Sequence, residues 1–446
     1  MREVEARLVA RMAEHRVPGL ALALIADGEI AIDRALGVKE AGRTDPVTPT
    51  TRFQACSISK PVTVLAMLRL AEEGTLDLDA DVNDVLTSWR VPPSAAWQPR
   101  VTLRQIASHS AGLTVGGFPG YRRGTPLPTL TQILTGSSPA NTEGIRVDTL
   151  PGVEFRYAGG GTTVLQQVLE DVTRRPFPAL MRELVLGPLG MSCSGFTQPL
   201  PAELQDEAAT AHGTDGTPVE GRWHVYPELA AAGLWTTPCD LARYAIAVQA
   251  AAAGAPGAIL GSELTASMLT PQVPSTSRLG GLDRLGLGLF LGGPEAVWFG
   301  HSGGNEGFRC HLLAHRDAGC GLVVMTNGDR GHVLIGDLLD DVAHVMGWPD
   351  YVIAERDGDA EPSIAPDAFT GVYELRPGAL IEVALRGDDL LVAALGQPAI
   401  RFLRAGDAEF ASFAVETSLG FELVDGRVEG LVVRQNDGEL RCRRVG

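Results

Sequence analysis

Strand-like runs stand at both ends of the first 350 residues, and a long helical stretch separates them. Residues 19–25 (GLALALI) and 29–35 (EIAIDRA) read as strands joined at Asp27-Gly28, a dipeptide suited to a tight hairpin turn. A helical pattern at 4–12 precedes them. Strand-like runs return only at 296–299, 310–314 and 321–326, and a helical run at 333–346 follows. In between, helical spacing recurs at 61–74, 103–110, 162–172, 176–186 and 240–253. The simplest fold is one sheet assembled from both ends of a domain, with a helical insertion beside it.

A second unit follows. Residues 353–366 (IAERDGDAEPSIAP) are charged and aperiodic and read as a linker. Beyond them, short alternating runs are split at Gly387-Asp388, Gly406-Asp407, Asp425-Gly426 and Asp437-Gly438. Turns at that spacing with a two-residue apolar period predict an all-β barrel or sandwich. The expected organisation is a domain at 1–352, a linker at 353–366 and a β-barrel at 367–446.

Composition narrows the function classes. A net charge of −17 disfavours a nucleic-acid partner or docking on anionic lipid. The N-terminal sequence has no basic segment followed by a long apolar core, and no run reaches the ~18 apolar residues of a membrane span. The expectation is a cytoplasmic protein. The cysteines Cys56, Cys193, Cys239, Cys310, Cys320 and Cys442 form no CxxC pair and fit no zinc spacing, so free thiols are expected.

Of the 37 basic residues only Lys39 and Lys60 are lysines, which leaves 37 − 2 = 35 arginines. Lys60 lies in QACSISKPVTVLA, three residues after Ser57. A helix beginning near Ser57 places both side chains on one face, one turn apart. Ser57 then sits at the positive end of the helix dipole, and Pro61 is tolerated in the first turn. A desolvated lysine is able to give up its proton and act as a base, whereas arginine is not. The alternative is a capping serine beside a solvated surface charge.

S-x-x-K is a motif of penicillin-binding proteins and serine β-lactamases. The chain resembles that superfamily, in particular its class C branch with family VIII esterases, D-aminopeptidases and D,D-peptidases. PGVEFRYAGG supplies Tyr157 where the group carries a Y-x-N triplet, with Gly159 in place of the asparagine. VWFGHSGGNEGF supplies His301-Ser302-Gly303 where others carry K-T-G. VTLRQIASHSAGL, with a structural His109, and AAGLWTTPCDLARY, with Ala232 before its glycine, resemble two further stretches of the group. The resemblance covers roughly residues 1–350, and the last 80 residues resemble an appended lipocalin-like barrel in which Tyr373 packs, binds a ligand or meets the site rim.

The resemblance implies an α/β domain with an antiparallel sheet flanked by helices, an all-α subdomain, and a site between them. It implies that Ser57 forms an acyl-enzyme, that Lys60 and Tyr157 move the protons, and that His301 orients the Tyr157 hydroxyl. The amides of Ser57 and Gly304 would form the oxyanion hole, and Ser302 and Gly303 would meet the substrate. Trp223, His224 and Tyr226, just before the AAGLW stretch, are expected to line the acyl or leaving-group pocket, the alternative being loop packing. No metal or cofactor is implied. With Gly159 and His301 in place, the expected activity is that of an esterase, amidase or D-peptidase on small acyl substrates, with weak or no β-lactamase activity. Acyl transfer to an alcohol or amine, and a slowly turning-over penicillin sensor, are the alternatives.

Overall fold

The apolar run at 19–26 is explained by burial on two sides. Strand β1 (Gly19–Ala26) is the second strand of a seven-stranded antiparallel sheet. Its alternate residues Ala21, Ala23 and Ile25 join one core, and Leu20, Leu22 and Leu24 join another. Strands point successive side chains to opposite faces, so a strand covered on both faces reads as continuously apolar. The structure is a computed structural model that describes residues 2–94, 97–273, 282–351, 364–386, 389–394, 399–404, 407–412, 417–424, 426–435 and 438–446.

The remaining strands are β2 (Glu29–Gly37), β3 (Leu282–Leu285), β4 (Phe290–Gly292), β5 (Trp298–Asn305), β6 (Phe308–His315) and β7 (Gly321–Thr326). Their order across the sheet is β2-β1-β7-β6-β5-β4-β3. β1 pairs with β7 from Leu20↔Thr326 to Ile25↔Gly321, which joins the two ends of the domain in one sheet. The strands β3 and β4 are additions to the sequence reading, which resumed strand structure only at 296.

Helix α1 (Arg2–Glu14) and the last helix of the domain, α6 (Gly331–Met346), cover one face. Leu8 and Met12 of α1 and Leu334, Leu338 and Val342 of α6 fill the core beneath them. The other face carries α2 (Ser59–Glu72), α3 (Gly159–Thr173), the short α4 (Leu229–Ala232) and α5 (Pro238–Ala252). In α2 nearly every residue is buried, because helices surround it and the sheet lies below. Each fully buried leucine or valine there contributes about 1.5–3 kcal/mol. Gly74, at φ 74°, ends that segment in the left-handed conformation that glycine adopts without a Cβ clash.

The chain divides into two compact units, Met1–Val352 and Ile353–Gly446. In the second, β8 (Gly371–Arg376), β9 (Ala379–Arg386), β10 (Asp389–Ala394), β11 (Ile400–Arg404), β12 (Glu409–Ser412), β13 (Thr417–Val424), β14 (Arg427–Gln435) and β15 (Gly438–Arg444) form a closed barrel. Phe369, Tyr373, Phe402, Phe410 and Phe421 pack inside it. Tyr373 is fully buried and its hydroxyl donates to Phe369 O at 2.8 Å, so its side chain packs within the barrel. Most of the expected linker lies outside the described residues. Its last residues already belong to the barrel unit, since Ile364 O accepts from Arg404 and its side chain packs on the barrel core.

Candidate active site

Ser57 lies not in α2 but in the single 3-10 turn Cys56–Ile58 that leads into it. The difference arises at Cys56, whose φ of 54° is left-handed and interrupts any regular helix before Ser57. That conformation costs a residue with a side chain roughly 1–3 kcal/mol. Neighbouring bonds hold it: the Cys56 thiol donates to Gln54 O at 3.2 Å, and Ser59 Oγ donates to Cys56 O at 2.6 Å. Ser59 Oγ in turn accepts from Leu234 N at 3.1 Å. The turn leaves Ser57 half-buried among fully buried neighbours.

Lys60, one turn on, is 3% exposed. Its Nζ lies 2.9 Å from Ser57 Oγ and 2.9 Å from Ala231 O at α4, and 5.0 Å from the centre of the Tyr157 ring. It is therefore an enclosed amine aimed at the serine, not a solvated surface charge. Lys39 is a surface contact, bonded to Asp206 O at 2.8 Å and paired with Asp45 at 2.9 Å.

Tyr157 enters from the segment before α3. Its ring lies 4.4 Å from that of His109, 6.4 Å from Phe290 and 6.2 Å from His301. His109 Nδ1 accepts from Ala158 N at 3.2 Å, and complete burial, then the charge of Lys60, hold its pKa well below the usual value. His109 is thus a neutral support beneath Tyr157.

His301 stands on β5 with its Nδ1 2.5 Å from Ser302 O. A carbonyl only accepts, so Nδ1 carries the proton and Nε2 keeps a lone pair. No described group pairs with Nε2. Burial, then Lys60, push its pKa down to about 3, so the ring is neutral at ordinary pH. Ser302 Oγ turns to His311 Nδ1 at 2.6 Å on the neighbouring strand. A Cβ added to Gly303 would lie 2.5 Å from Ala55 O and 2.5 Å from Cys310 Sγ, so a side chain there would push β5 off the serine turn. Asn305 secures the same approach, donating to Gln54 Oε1 at 2.8 Å and Ala232 O at 3.2 Å. Gly304, next to the packed glycine, is exposed.

A half-buried serine beside a buried lysine, a tyrosine over the lysine and a glycine-rich strand drawn against the serine turn agree with the family comparison. A family model described as Beta-lactamase matches residues 4–344. The chain belongs to the beta-lactamase family. Penicillin-binding protein 4 of Amycolatopsis lactamdurans is 26% identical to it over 387 residues, 84% of this chain and 97% of that protein. A D-aminopeptidase of Cereibacter sphaeroides is 24% identical over 92% of this chain and 83% of that one. Esterase EstB of Burkholderia gladioli is 30% identical over 47% of this chain and 54% of its own length. In fold, the octameric penicillin-binding protein homologue from Pyrococcus abyssi superimposes with a TM-score of 0.66 at 21% identity, covering 99% of each chain.

Beta-lactamase family membership gives the remaining predicted positions a frame. Gly159 begins α3, and its N donates to Gly116 O at 3.0 Å. A Cβ there would lie 3.0 Å from Gly116 O and 3.0 Å from the Phe118 ring, so the loop before Tyr121 fills the space an asparagine would need. Trp223 and Tyr226 are each 1% exposed. Trp223 lies between the guanidinium groups of Arg222, 4.5 Å away, and Arg123, 4.8 Å away. The Tyr226 hydroxyl accepts from Glu306 N at 2.9 Å. Both are buried, Trp223 against the two guanidinium groups and Tyr226 against Gly120. His224, partly exposed, places Nδ1 3.1 Å from Pro119 O.

Two residues near these elements escaped the sequence reading. One is Phe118, a single aromatic in a run of glycine and proline (VGGFPG), which is itself a recognisable signal. The other is Glu228, fully buried just before α4, whose carboxylate oxygens accept no hydrogen bond from another described residue. Burial pushes its pKa up to about 7. Each of the six cysteines is a free thiol. Among the described residues no cluster of three or more histidine, cysteine or acidic side chains is able to hold a metal ion, and no helix is long and apolar enough to cross a membrane.

Proposed function

We propose that this protein is a serine hydrolase that works through an acyl-enzyme on small esters or amides. The observation that carries the reading is the 2.9 Å contact between Lys60 Nζ and Ser57 Oγ inside a buried site, with the Tyr157 ring over the same amine. The serine hydroxyl attacks the substrate carbonyl as Lys60 Nζ, acting as the base, takes up its proton. The Oγ–C bond forms as the carbonyl oxygen takes up the electron pair. Amides of Ser57 and Gly304 receive that negative charge; such donors are typically worth 10²–10³ in rate. Tyr157 passes a proton to the leaving group as its bond to carbon breaks, and then helps draw one from the deacylating water. His301 contributes no charge, and its neutral ring, 6.2 Å from that of Tyr157 between centres, helps to position the tyrosine. Gly159 and His301 support esterase, amidase or D-peptidase activity over β-lactam turnover.

The test is intact mass during incubation with p-nitrophenyl butyrate, with nitrophenol release followed alongside, for the native chain and Ser57→Ala. A transient butyryl adduct (about 70 Da) with turnover, both lost in the variant, is the expected result. Turnover that survives in Ser57→Ala refutes the reading.

A further inference from the structure

The loop at 115–120 brings one side chain to the site. Its sequence is Val-Gly-Gly-Phe-Pro-Gly, and Gly116, Gly117 and Pro119 are exposed while Phe118 is half-buried. Four bonds pin it. Gly116 O accepts from Gly159 N at 3.0 Å and Val115 O from Gly160 N at 2.8 Å. Gly120 O accepts from Asn141 Nδ2 at 2.9 Å, and Pro119 O from the His224 ring at 3.1 Å. Gly120 has a φ of 71°, and a Cβ there would lie 2.6 Å from the Tyr226 ring, so the loop turns flat against that tyrosine. The anchors fall on both sides of Phe118, which sets the ring over Gly159, two residues from Tyr157.

Beside the segment of Tyr157 the loop therefore offers the half-buried Phe118 ring and the exposed backbone of Gly116 and Gly117, with the glycines of α3 buried behind them. Gly159, Gly160 and Gly161 open α3 without side chains, and Gly116 and Gly117 add none. Among the described residues, the atoms nearest to a Cβ built at Gly159 are Gly116 O and the Phe118 ring, not a side-chain amide, hydroxyl or charge. An apolar group with a flat face gains contact with the ring, whereas an acyl group carrying an amide would lose its water there without a side-chain partner.

We propose that Phe118 is a specificity-determining residue that selects acyl donors with an apolar, preferably aromatic, acyl group. This rests on the acyl-enzyme reading above. The ring lies against the acyl chain of the Ser57 adduct and excludes water from that side.

The experiment compares kcat/KM for the p-nitrophenyl esters of acetate, phenylacetate and N-acetylglycine, with intact mass to follow Ser57 acylation. In the native chain the phenylacetyl ester is expected to exceed the N-acetylglycyl ester by about ten-fold or more, the discrimination a single apolar contact supplies. In Phe118→Ala the phenylacetyl-to-acetyl ratio falls about ten-fold. Phe118→Leu keeps an apolar tip on the loop, serves if the alanine variant misfolds, and gives an intermediate ratio. A native preference for the N-acetylglycyl ester, or ratios unchanged in both variants, overturns the proposal while leaving the acyl-enzyme reading intact. If none of the three esters acylates Ser57, the acyl-enzyme reading itself fails, and this proposal with it.

Discussion

Replacing Glu228 by glutamine should make the protein more resistant to unfolding at alkaline pH relative to acid pH. The carboxyl is fully buried, and burial raises its pKa from 4.5 to about 7. Below about pH 4.5 it is protonated both folded and unfolded, and contributes no pH-dependent term. Between 4.5 and about 7 the folded chain keeps a proton that the unfolded chain releases, so stability falls as pH rises. Above about 7 the full penalty stands, which at about 1.4 kcal/mol per pH unit is about 3 kcal/mol. From pH 5 to pH 8 the change is about 2–3 kcal/mol. Urea unfolding followed by tryptophan fluorescence reads this directly. All six tryptophans (Trp89, Trp97, Trp223, Trp235, Trp298 and Trp348) lie in the first unit, so the barrel does not contribute. The buried histidines His301 and His311, held neutral at about 3 and about 4, are common to both proteins and cancel in the difference. The stability difference, variant minus native, should grow by about 2–3 kcal/mol between pH 5 and pH 8. A difference constant across that range would refute the argument, because any packing change from the amide is independent of pH.

Lys60→Arg should abolish detectable butyryl-enzyme formation while preserving the fold, since guanidinium keeps its proton; mass spectrometry and circular dichroism check the two halves. Gly303→Ala should lose about 1–3 kcal/mol of stability in urea and slow acylation at least ten-fold, because the new methyl meets Ala55 O and Cys310 Sγ at 2.5 Å. Restoring the family asparagine in Gly159→Asn should destabilise the loop at 115–120 without creating nitrocefin turnover, as Gly116 O and Phe118 already fill that space. With its pKa pushed down to about 3, His301 is neutral from pH 5 to 9, so His301→Gln should lower activity without shifting the pH–rate profile over that range.

Much of the frame was legible because its signals are periodic. The β1 run announces a strand buried on two faces, and the spacing in 61–74 announces α2. The edge strands β3 and β4 were not, since LDRL and FLG are too short to show an alternation. Ser57, Lys60 and Tyr157 could be picked out because S-x-x-K and the scarcity of lysine are local facts. Where a side chain faces is not local: that Arg123 lies on Trp223, and Gly120 on Tyr226, depends on chain segments about a hundred residues apart. Glu228, in an alanine-rich stretch, reads as a solvated charge, and its burial depends on a chain fold that no window of sequence contains. Cys56 gives no sign of its left-handed backbone, because glycine or asparagine is the usual marker for it.

The pairing of β1 with β7 also sets a timetable for synthesis. The β1–β2 hairpin is complete by residue 37, but the strand that covers its inner edge begins at Gly321. At roughly 5–20 residues per second, a ribosome needs roughly 15–60 s to reach it. Throughout that interval each nascent chain carries an uncovered leucine-rich edge. The strand with His301 and Gly304 is likewise made long after Ser57, so the proposed nucleophile exists on the ribosome well before the surroundings that would make it reactive.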